Sequence, residues 1–120
     1  MHPLIGVATV YMLLGGPLFC GGTYDVNSEP WVALDINQYR NGHARCGDII
    51  LLIFPDGKYI ITKAMDAGPL SRFHVDDWGT IPIVVDIPEH IKTFNGISSP
   101  VKMYNITAGC RNRHNGLCED

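Results

Sequence analysis

The segment Ala64-Met65-Asp66-Ala67-Gly68-Pro69 places an aspartate at the end of an apolar stretch and directly before a Gly-Pro break. Taken by itself, an aspartate in this position can form an Asx-type turn. The stretch Lys58–Met65 follows the continuous apolar run Asp48–Phe54 after Pro55-Asp56-Gly57, a favourable turn sequence. The pattern predicts a β-hairpin that ends at the aspartate, and the continuous run indicates that both faces of the first strand are covered.

Further strands are predicted on either side of this hairpin from β-branched and aromatic stretches. They are Ile5–Met12, Trp31–Ile36, Ile81–Val85 and Val101–Ile106. Between Gly68 and Gly79 the chain makes a polar and aromatic excursion. The pattern predicts a mainly β fold of six strands, closed into a barrel because closure removes exposed strand edges.

A short helix is predicted after the fifth strand. Asp86 is a candidate N-cap, Glu89 three residues later completes a capping box, and Pro88 fits the first turn. The helix is expected to end near Asn95-Gly96. The predicted fold class is therefore mainly β with one or two short helices.

The length of 120 residues suits one domain, so we predict a single domain over residues 1–120. Its polar tail is expected to be held by cysteines, with Arg111 as part of a small solvated basic cluster. The formal net charge of −3 provides no electrostatic footprint for nucleic acid or an anionic membrane. We therefore expect no nucleic-acid partner, no membrane partner and a monomer.

The chain has four cysteines, which are Cys20, Cys46, Cys110 and Cys118. An even number in a short chain favours two disulfides and an oxidising compartment, so we predict a secreted, extracellular protein. Neither a CxxC pair nor an HxH or HExxH pattern occurs. We therefore expect no metal site and no cofactor.

The N-terminal stretch from Leu4 to Phe19 is apolar, but it lacks the basic region of a signal peptide. It is also too short to cross a membrane. We interpret Ile5–Met12 as a buried strand of the mature protein. This interpretation implies that a natural signal was removed and that Met1 was added for expression.

Several short motifs follow one another in a fixed order along the chain. They are Gly6-Val7-Ala8-Thr9-Val10-Tyr11, Trp31-Val32-Ala33-Leu34, Asn41-Gly42, Cys46-Gly47, Asp66-Ala67-Gly68-Pro69 and Val85-Asp86-Ile87. Their order and spacing resemble the double-psi β-barrel superfamily. That superfamily includes expansins and loosenins, barwin-like defence proteins, rare lipoprotein A, barrel-type endoglucanases and streptomycete papain inhibitors. The resemblance runs from Gly6 to about Ile106 and implies a six-stranded double-psi β-barrel.

The resemblance also implies a disulfide map. In barwin-like and expansin-like relatives, a cysteine in the first long loop pairs with the cysteine of the later Cys-Gly. Carried over, Cys20 pairs with Cys46, which leaves Cys110 to pair with Cys118. The cysteine count alone leaves the other connectivities open.

Two acids match ligand-site positions of these families. The position of Asp66 is an active or binding aspartate in expansins and rare lipoprotein A. Asp86 matches an aspartate that lies across the groove in expansins and is the general acid in barrel-type endoglucanases. The resemblance therefore implies ligand binding by Asp66 and Asp86, with Asp66 as the catalytic residue if any reaction occurs.

Two departures from these families count against hydrolysis. Barrel-type endoglucanases carry the second carboxylate at the end of the first strand, where this chain has Tyr11-Met12-Leu13. Rare lipoprotein A uses a histidine in the second-strand segment, where this chain has Ala33-Leu34-Asp35-Ile36, with Asp35 as a candidate substitute. We therefore expect a binding protein rather than an enzyme.

Tyr11 and Trp78 are the aromatic residues that we expect to stack on sugar rings, since an exposed ring offers an apolar face. Trp31 is interpreted as a core residue. Ser71 and His74 are close in sequence, but no Gly-x-Ser-x-Gly pattern accompanies them. We interpret them as loop residues and not as a catalytic pair.

Three functions follow from these observations. The first is non-hydrolytic binding or loosening of a wall polysaccharide such as chitin, cellulose or peptidoglycan, through Asp66, Asp86, Tyr11 and Trp78. The second is inhibition of a cysteine protease by loops of the same barrel. The third is a lytic, polysaccharide-cleaving enzyme that uses Asp66 in a partly buried cleft.

Overall fold

The computed structural model of the chain describes residues 2–11, 17–22, 29–70, 73–76 and 79–113. The strands are β1 (Leu4–Tyr11), β2 (Trp31–Asp35), β3 (Ile49–Ile53), β4 (Tyr59–Gly68), β5 (Phe73–Asp76), β6 (Gly79–Pro88) and β7 (Ser98–Asn105). The helices are α1 (Ile36–Arg40) and α2 (Ile106–Arg113), with a 3-10 turn over Glu89–Ile91.

Six of the strands close into a ring. Their order is β1-β7-β3-β4-β2-β6, and β6 pairs back onto β1. The β1–β6 and β2–β4 pairs are parallel, and the other pairs of the ring are antiparallel. β5 extends the sheet as the antiparallel partner of β6. The predicted fold class, a mainly β, six-stranded barrel with one or two short helices, is confirmed.

The core lies inside the ring, because alternate side chains of strands such as β3 point inward. Ile50 and Leu52 of β3 are fully buried, as are Val85 and Ile87 of β6. The buried cluster consists of Ala8, Val32, Leu34, Ala44, Ile50, Leu52, Phe54, Ala64, Val85, Ile87, Val101 and Met103. Each fully buried Val, Leu or Ile contributes about 1.5–3 kcal/mol, so this cluster is the main source of stability.

The outer side of β3 differs from the prediction. Ile49, Leu51 and Ile53 are half-buried, although the continuous apolar run predicted that both faces of this strand are covered. The prediction fails because a single-layer barrel covers only the inner face of a strand. The outer apolar side chains of β3 are therefore part of the protein surface.

Two glycines are required by geometry. A Cβ at Gly6 would overlap with the carbonyl oxygen of Pro82, so only glycine lets β1 and β6 approach this closely. Gly57 has a φ of 86°, and its N–H donates to Phe54 O at 2.9 Å within the β3–β4 turn. A residue with a side chain is strained at that φ.

The helices depart most from the predictions. Asp86 lies inside β6, and the 3-10 turn after Pro88 has no side-chain cap, so the predicted capping box is wrong. Pairing of β6 with β1 and β2 continues the strand past the capping signal. α1 and α2 were not predicted, because β-branched Ile36 and Ile106 extended the predicted strands by one residue.

Candidate functional site

Four residues on neighbouring strands form a row on the outside of the barrel, here called the aspartate row. Thr9 of β1 is paired with Asp86 of β6, and Asp86 is paired with Ala33 of β2. Ala33 is in turn paired with Asp66 of β4. Directly paired residues share one face of a sheet, so the row brings the two predicted site acids onto one face with a single strand between them.

Asp86 points away from the barrel interior, because its neighbours Val85 and Ile87 are both fully buried. Its side chain is half-buried, and its Oδ1 accepts a hydrogen bond from Thr9 Oγ1 at 3.0 Å. The neighbouring strand therefore fixes the orientation of this carboxylate while part of it stays at the surface.

Asp66 reaches the row through an irregularity in β4. Val32 is paired with Ala64 and the next residue, Ala33, with Asp66, so Met65 is an extra residue in β4. An extra residue of this kind changes which face the following side chains occupy. In a regular strand Asp66 would point inward with Ala64, which belongs to the core.

The carboxylate of Asp66 is almost covered. Asp66 is 5% exposed, and its Oδ1 accepts a hydrogen bond from the Phe19 backbone N–H at 2.9 Å. The turn that follows it is held by Asp35, whose Oδ1 accepts from the Leu70 N–H at 2.9 Å. Asp66 thus binds the loop that contains Phe19 to β4, whereas Asp35 binds the turn that follows β4 at Leu70.

The loop around Cys20 is joined to the barrel at further points. The Cys20 N–H donates to Met65 O at 2.9 Å, and a disulfide with an S–S length of 2.08 Å joins Cys20 to Cys46. This is the pairing that the family resemblance implies. Cys110 is also disulfide-bonded. Cys118 lies outside the described residues, so the Cys110–Cys118 pairing stays a prediction.

Tyr39 of α1 supports the same region and was not identified from the sequence. Its hydroxyl donates to the backbone oxygen of Asp66 at 2.9 Å, and its ring lies 5.0 Å from the ring of Phe19. Burial, followed by the nearby carboxylates of Asp66 and Asp48, raises the pKa of Tyr39. The phenol therefore stays protonated and remains a hydrogen-bond donor.

A second buried carboxylate, Asp48, was also missed. Asp48 is 1% exposed, and Arg111 binds it through Nη1 to Oδ1 at 2.6 Å and Nη2 to Oδ2 at 2.8 Å. Asn105 Nδ2 and the Arg45 backbone N–H donate to Oδ2 at 3.0 and 2.9 Å. Burial opposes ionisation, but the hydrogen bonds, led by that from Arg111, lower the pKa of Asp48.

The Asp48 contact corrects one prediction. Arg111 was expected to be solvated, but its side chain is 12% exposed and joins α2 to the chain before β3. The two partners are 63 residues apart, so no local pattern in the sequence signals their contact. This ion pair lies outside the aspartate row and has a structural role.

The other predicted site residues are less fully described. The backbone of Tyr11 is paired with Pro88 at the end of β1. The backbone of His74 belongs to β5, so the interpretation of His74 as a loop residue is wrong. Trp78 and Ser71 lie outside the described residues, so the predictions for them stay predictions. Trp31 is 2% exposed, in agreement with its interpretation as a core residue.

The described residues carry neither a metal cluster nor a membrane-spanning helix. Within those ranges, no cluster of three or more His, Cys, Asp or Glu side chains is arranged to hold a metal ion. Within the same ranges, no helix has both the length and the apolar character needed to span a bilayer.

No family model matches the chain. Ripening-related protein grip22 of Vitis vinifera and kiwellin of Actinidia chinensis var. chinensis are each 40% identical to it over 52 residues. Each match covers 43% of this chain but only 23% of grip22 and 24% of kiwellin. The chain therefore spans about a quarter of the length of these relatives.

A crystal structure of apo expansin from Clavibacter michiganensis is similar to the barrel, with a TM-score of 0.58. The similarity covers 87% of this chain and 50% of the expansin chain, at 21% sequence identity. At that identity the likeness shows the fold alone. The closed six-strand ring, its two parallel pairs and the match to the expansin structure show that the chain has the double-psi β-barrel fold.

Proposed function

We propose that this chain is a secreted, non-hydrolytic carbohydrate-binding domain that contacts a wall polysaccharide through the aspartate row. The observation that supports it most directly is the register that sets Asp86 and Asp66 on one outer face. Sugar chains are recognised by fixed hydrogen-bonding groups on a concave or flat surface, and carboxylates are strong acceptors for hydroxyl groups.

Asp86 is the main ligand contact in this proposal. It is half-buried, so it is oriented by the fold and still borders solvent. A carboxylate has about four lone-pair positions, so it can accept several hydrogen bonds at once, one of them that from Thr9. A sugar hydroxyl that donates to Asp86 would therefore extend an existing hydrogen-bonded pair.

Asp66 has a supporting role. The residue is 5% exposed and its carboxylate accepts from the Phe19 backbone N–H, so its contact with a ligand is secondary to that of Asp86. Inverting hydrolysis requires an acid and a base on opposite sides of the sugar with room for water. A carboxylate used to hold a loop is a poor candidate for either role, which favours binding without cleavage.

The proposal is tested by pull-down on chitin, cellulose and peptidoglycan. We expect retention on at least one polymer, and about fivefold weaker binding for Asp86→Asn, the equivalent of about 1 kcal/mol for one hydrogen bond. Glu29→Gln is the matched control, because it removes the same charge from an exposed carboxylate that is paired with Lys63. Tyr11→Ala tests the predicted stacking contact on the same polymer.

Other outcomes would replace this proposal. The protease inhibitor would be favoured if the chain binds none of the three polymers and if the unmodified chain and Asp66→Asn inhibit papain equally. Release of soluble sugar fragments that Asp66→Asn abolishes would favour the lytic enzyme. If Asp86→Asn and the unmodified chain bind equally well, the polysaccharide binds at another surface and not at the aspartate row.

A further inference from the structure

A second outer surface lies across β1, β7, β3 and β4. The pairing registers place Ile5 beside Lys102, and Lys102 beside Ile53. Ile53 is paired with Tyr59, and Ile61 follows two residues later on the same side of β4. These five residues are here called the isoleucine face. Its central strands, β7 and β3, contribute nothing to the aspartate row.

The isoleucine face is apolar and largely uncovered. Ile5 is 67% exposed, Tyr59 is 65% exposed and Ile61 is 59% exposed. Single exposed apolar side chains are ordinary on a protein surface, but a contiguous set is typical of an interaction surface. The all-apolar sequence of β3, Ile49–Ile53, is also typical of a strand that is covered on both sides.

A groove of about 490 Å³ lies along the isoleucine face. Ile5, Ile53, Pro55 and Pro100 are among its apolar lining residues, and Lys102 is its charged lining residue. This volume falls in the range of pockets that enclose apolar groups in proteins. The groove is therefore large enough to receive apolar side chains from a partner.

The lysines at and beside this surface differ in whether a carboxylate pairs with them. Lys58 and Lys63, which neighbour the face on β4 and its preceding turn, are paired with Asp56 at 3.8 Å and Glu29 at 3.1 Å. Lys102 takes part in no ion pair with any residue that the structure describes. In the pairing register Lys102 lies between Ile5 and Ile53, so a carboxylate from outside the chain would complement its charge.

We propose that the isoleucine face binds a partner protein through a short segment in which an acidic residue is flanked by apolar residues. The acidic residue pairs with Lys102, while its apolar neighbours contact Ile5, Ile53 and the groove. The exposed side chains of Tyr59 and Ile61 extend the contact beyond the groove. This site is separate from the aspartate row, so both surfaces can be occupied in the same molecule.

The side chains of this face favour a protein over other occupants. Aromatic platforms with polar groups beside them suit sugars, whereas the one aromatic ring of this face, Tyr59, lies beside the branched aliphatic side chains of Ile53 and Ile61. Adsorption to an anionic membrane needs a cluster of several cations, and here one lysine has no acidic neighbour. Protein interfaces combine an apolar centre with a polar rim, and apolar side chains beside one charge at the edge fit that arrangement.

The test uses the full chain labelled with ¹⁵N and three acetylated, amidated peptides, Ser-Leu-Asp-Leu-Ser and its variants with Asn or Lys at the centre. We expect the Asp peptide to shift the amide signals of Ile5, Ile53 and Lys102. Binding of the Asn peptide should be at least fivefold weaker. In Lys102→Glu the preference should reverse, so that the Lys peptide binds more tightly than the Asp peptide.

Lys92→Glu is the matched control. It makes the same charge change at a lysine that lies 5.4 Å from the Phe94 ring and does not belong to the isoleucine face. It should retain the preference for the Asp peptide. Because the peptides are chosen for this face, the result is independent of polysaccharide binding by the aspartate row.

Four outcomes would overturn the proposal. Equal binding of all three peptides would show that the face has no preference for an acidic segment. Unchanged amide signals at the isoleucine face would show that the peptides do not bind there. Tighter binding of decanoate than of the Asp peptide at the same amides assigns the groove to a small amphiphile. Concentration-dependent dimerisation that Ile61→Asp abolishes assigns the face to a second copy of the chain.

Discussion

The regions around Asp48 and Asp66 both use a buried carboxylate to hold distant parts of the chain together, but the partners differ. Asp48 is bound by the guanidinium of Arg111 and two further donors. The described contact of the Asp66 carboxylate is with the backbone N–H of Phe19. A buried charge depends strongly on a cationic partner and less on a neutral donor. Asp48 therefore has a structural role, whereas Asp66 holds a loop and also belongs to the aspartate row.

The largest expected effect comes from removing the cation of the Asp48 region. Arg111→Met leaves the Asp48 charge buried without its ion pair, so the free energy of unfolding should fall by about 3–5 kcal/mol. Urea denaturation of the disulfide-intact chain measures this loss. The double variant Asp48→Asn with Arg111→Met should recover part of it, because no buried charge is then left unpaired. A loss below about 1 kcal/mol for Arg111→Met would contradict the comparison.

A smaller effect is expected in the Asp66 region. Asp66→Ala leaves the Phe19 N–H without its acceptor, so stability should fall by about 1–3 kcal/mol. Asp66→Asn keeps a side-chain oxygen and should cost less. Hydrogen exchange of the Phe19 amide locates the effect, since its protection should fall in Asp66→Ala and be largely kept in Asp66→Asn. Unchanged protection in both variants would show that the loop is held by other contacts.

The smallest expected effect is the change of stability with pH that the ionisation of Asp48 causes. The folded pKa of Asp48 is lowered, so its stabilising contribution is complete above the unfolded value of about 3.9 and is lost as pH falls through the folded pKa. Compared with Asp48→Asn, the unmodified chain should lose stability on acidification by up to about 1.4 kcal/mol per pH unit. Denaturation between about pH 6 and pH 2 measures this, with Asp56→Asn as the exposed control. If the difference in unfolding free energy between the unmodified chain and Asp48→Asn stays constant over this pH range, the lowered pKa of Asp48 is contradicted.

The strands could be predicted because burial acts on short stretches of sequence. Ile50 and Leu52 lie in a β-branched run whose inner side chains fill the barrel. The order of the family motifs along the chain predicted the barrel fold, and the resemblance implied that Asp66 and Asp86 lie across one groove from each other. The ends of the elements were less predictable: pairing with β1 kept Asp86 in a strand although its local sequence resembles a helix start.

Contacts that depend on the folded chain could not be predicted. Asp66 and Phe19 are 47 residues apart, and Asp48 and Arg111 are 63 residues apart. No local spacing rule connects such pairs. The exposed outer side of β3 was also missed, because an apolar run looks the same whether its second face is covered or open.

The route by which the barrel closes has a consequence for its synthesis. β1 is made first, yet its partners are β6 and β7, and Thr9 meets Asp86 across 77 residues of sequence. A strand whose partners are translated last stays unpaired until nearly the whole domain has left the ribosome. Closing such a long loop is slow and exposes an apolar edge, so β1 is the segment that a chaperone has most reason to cover.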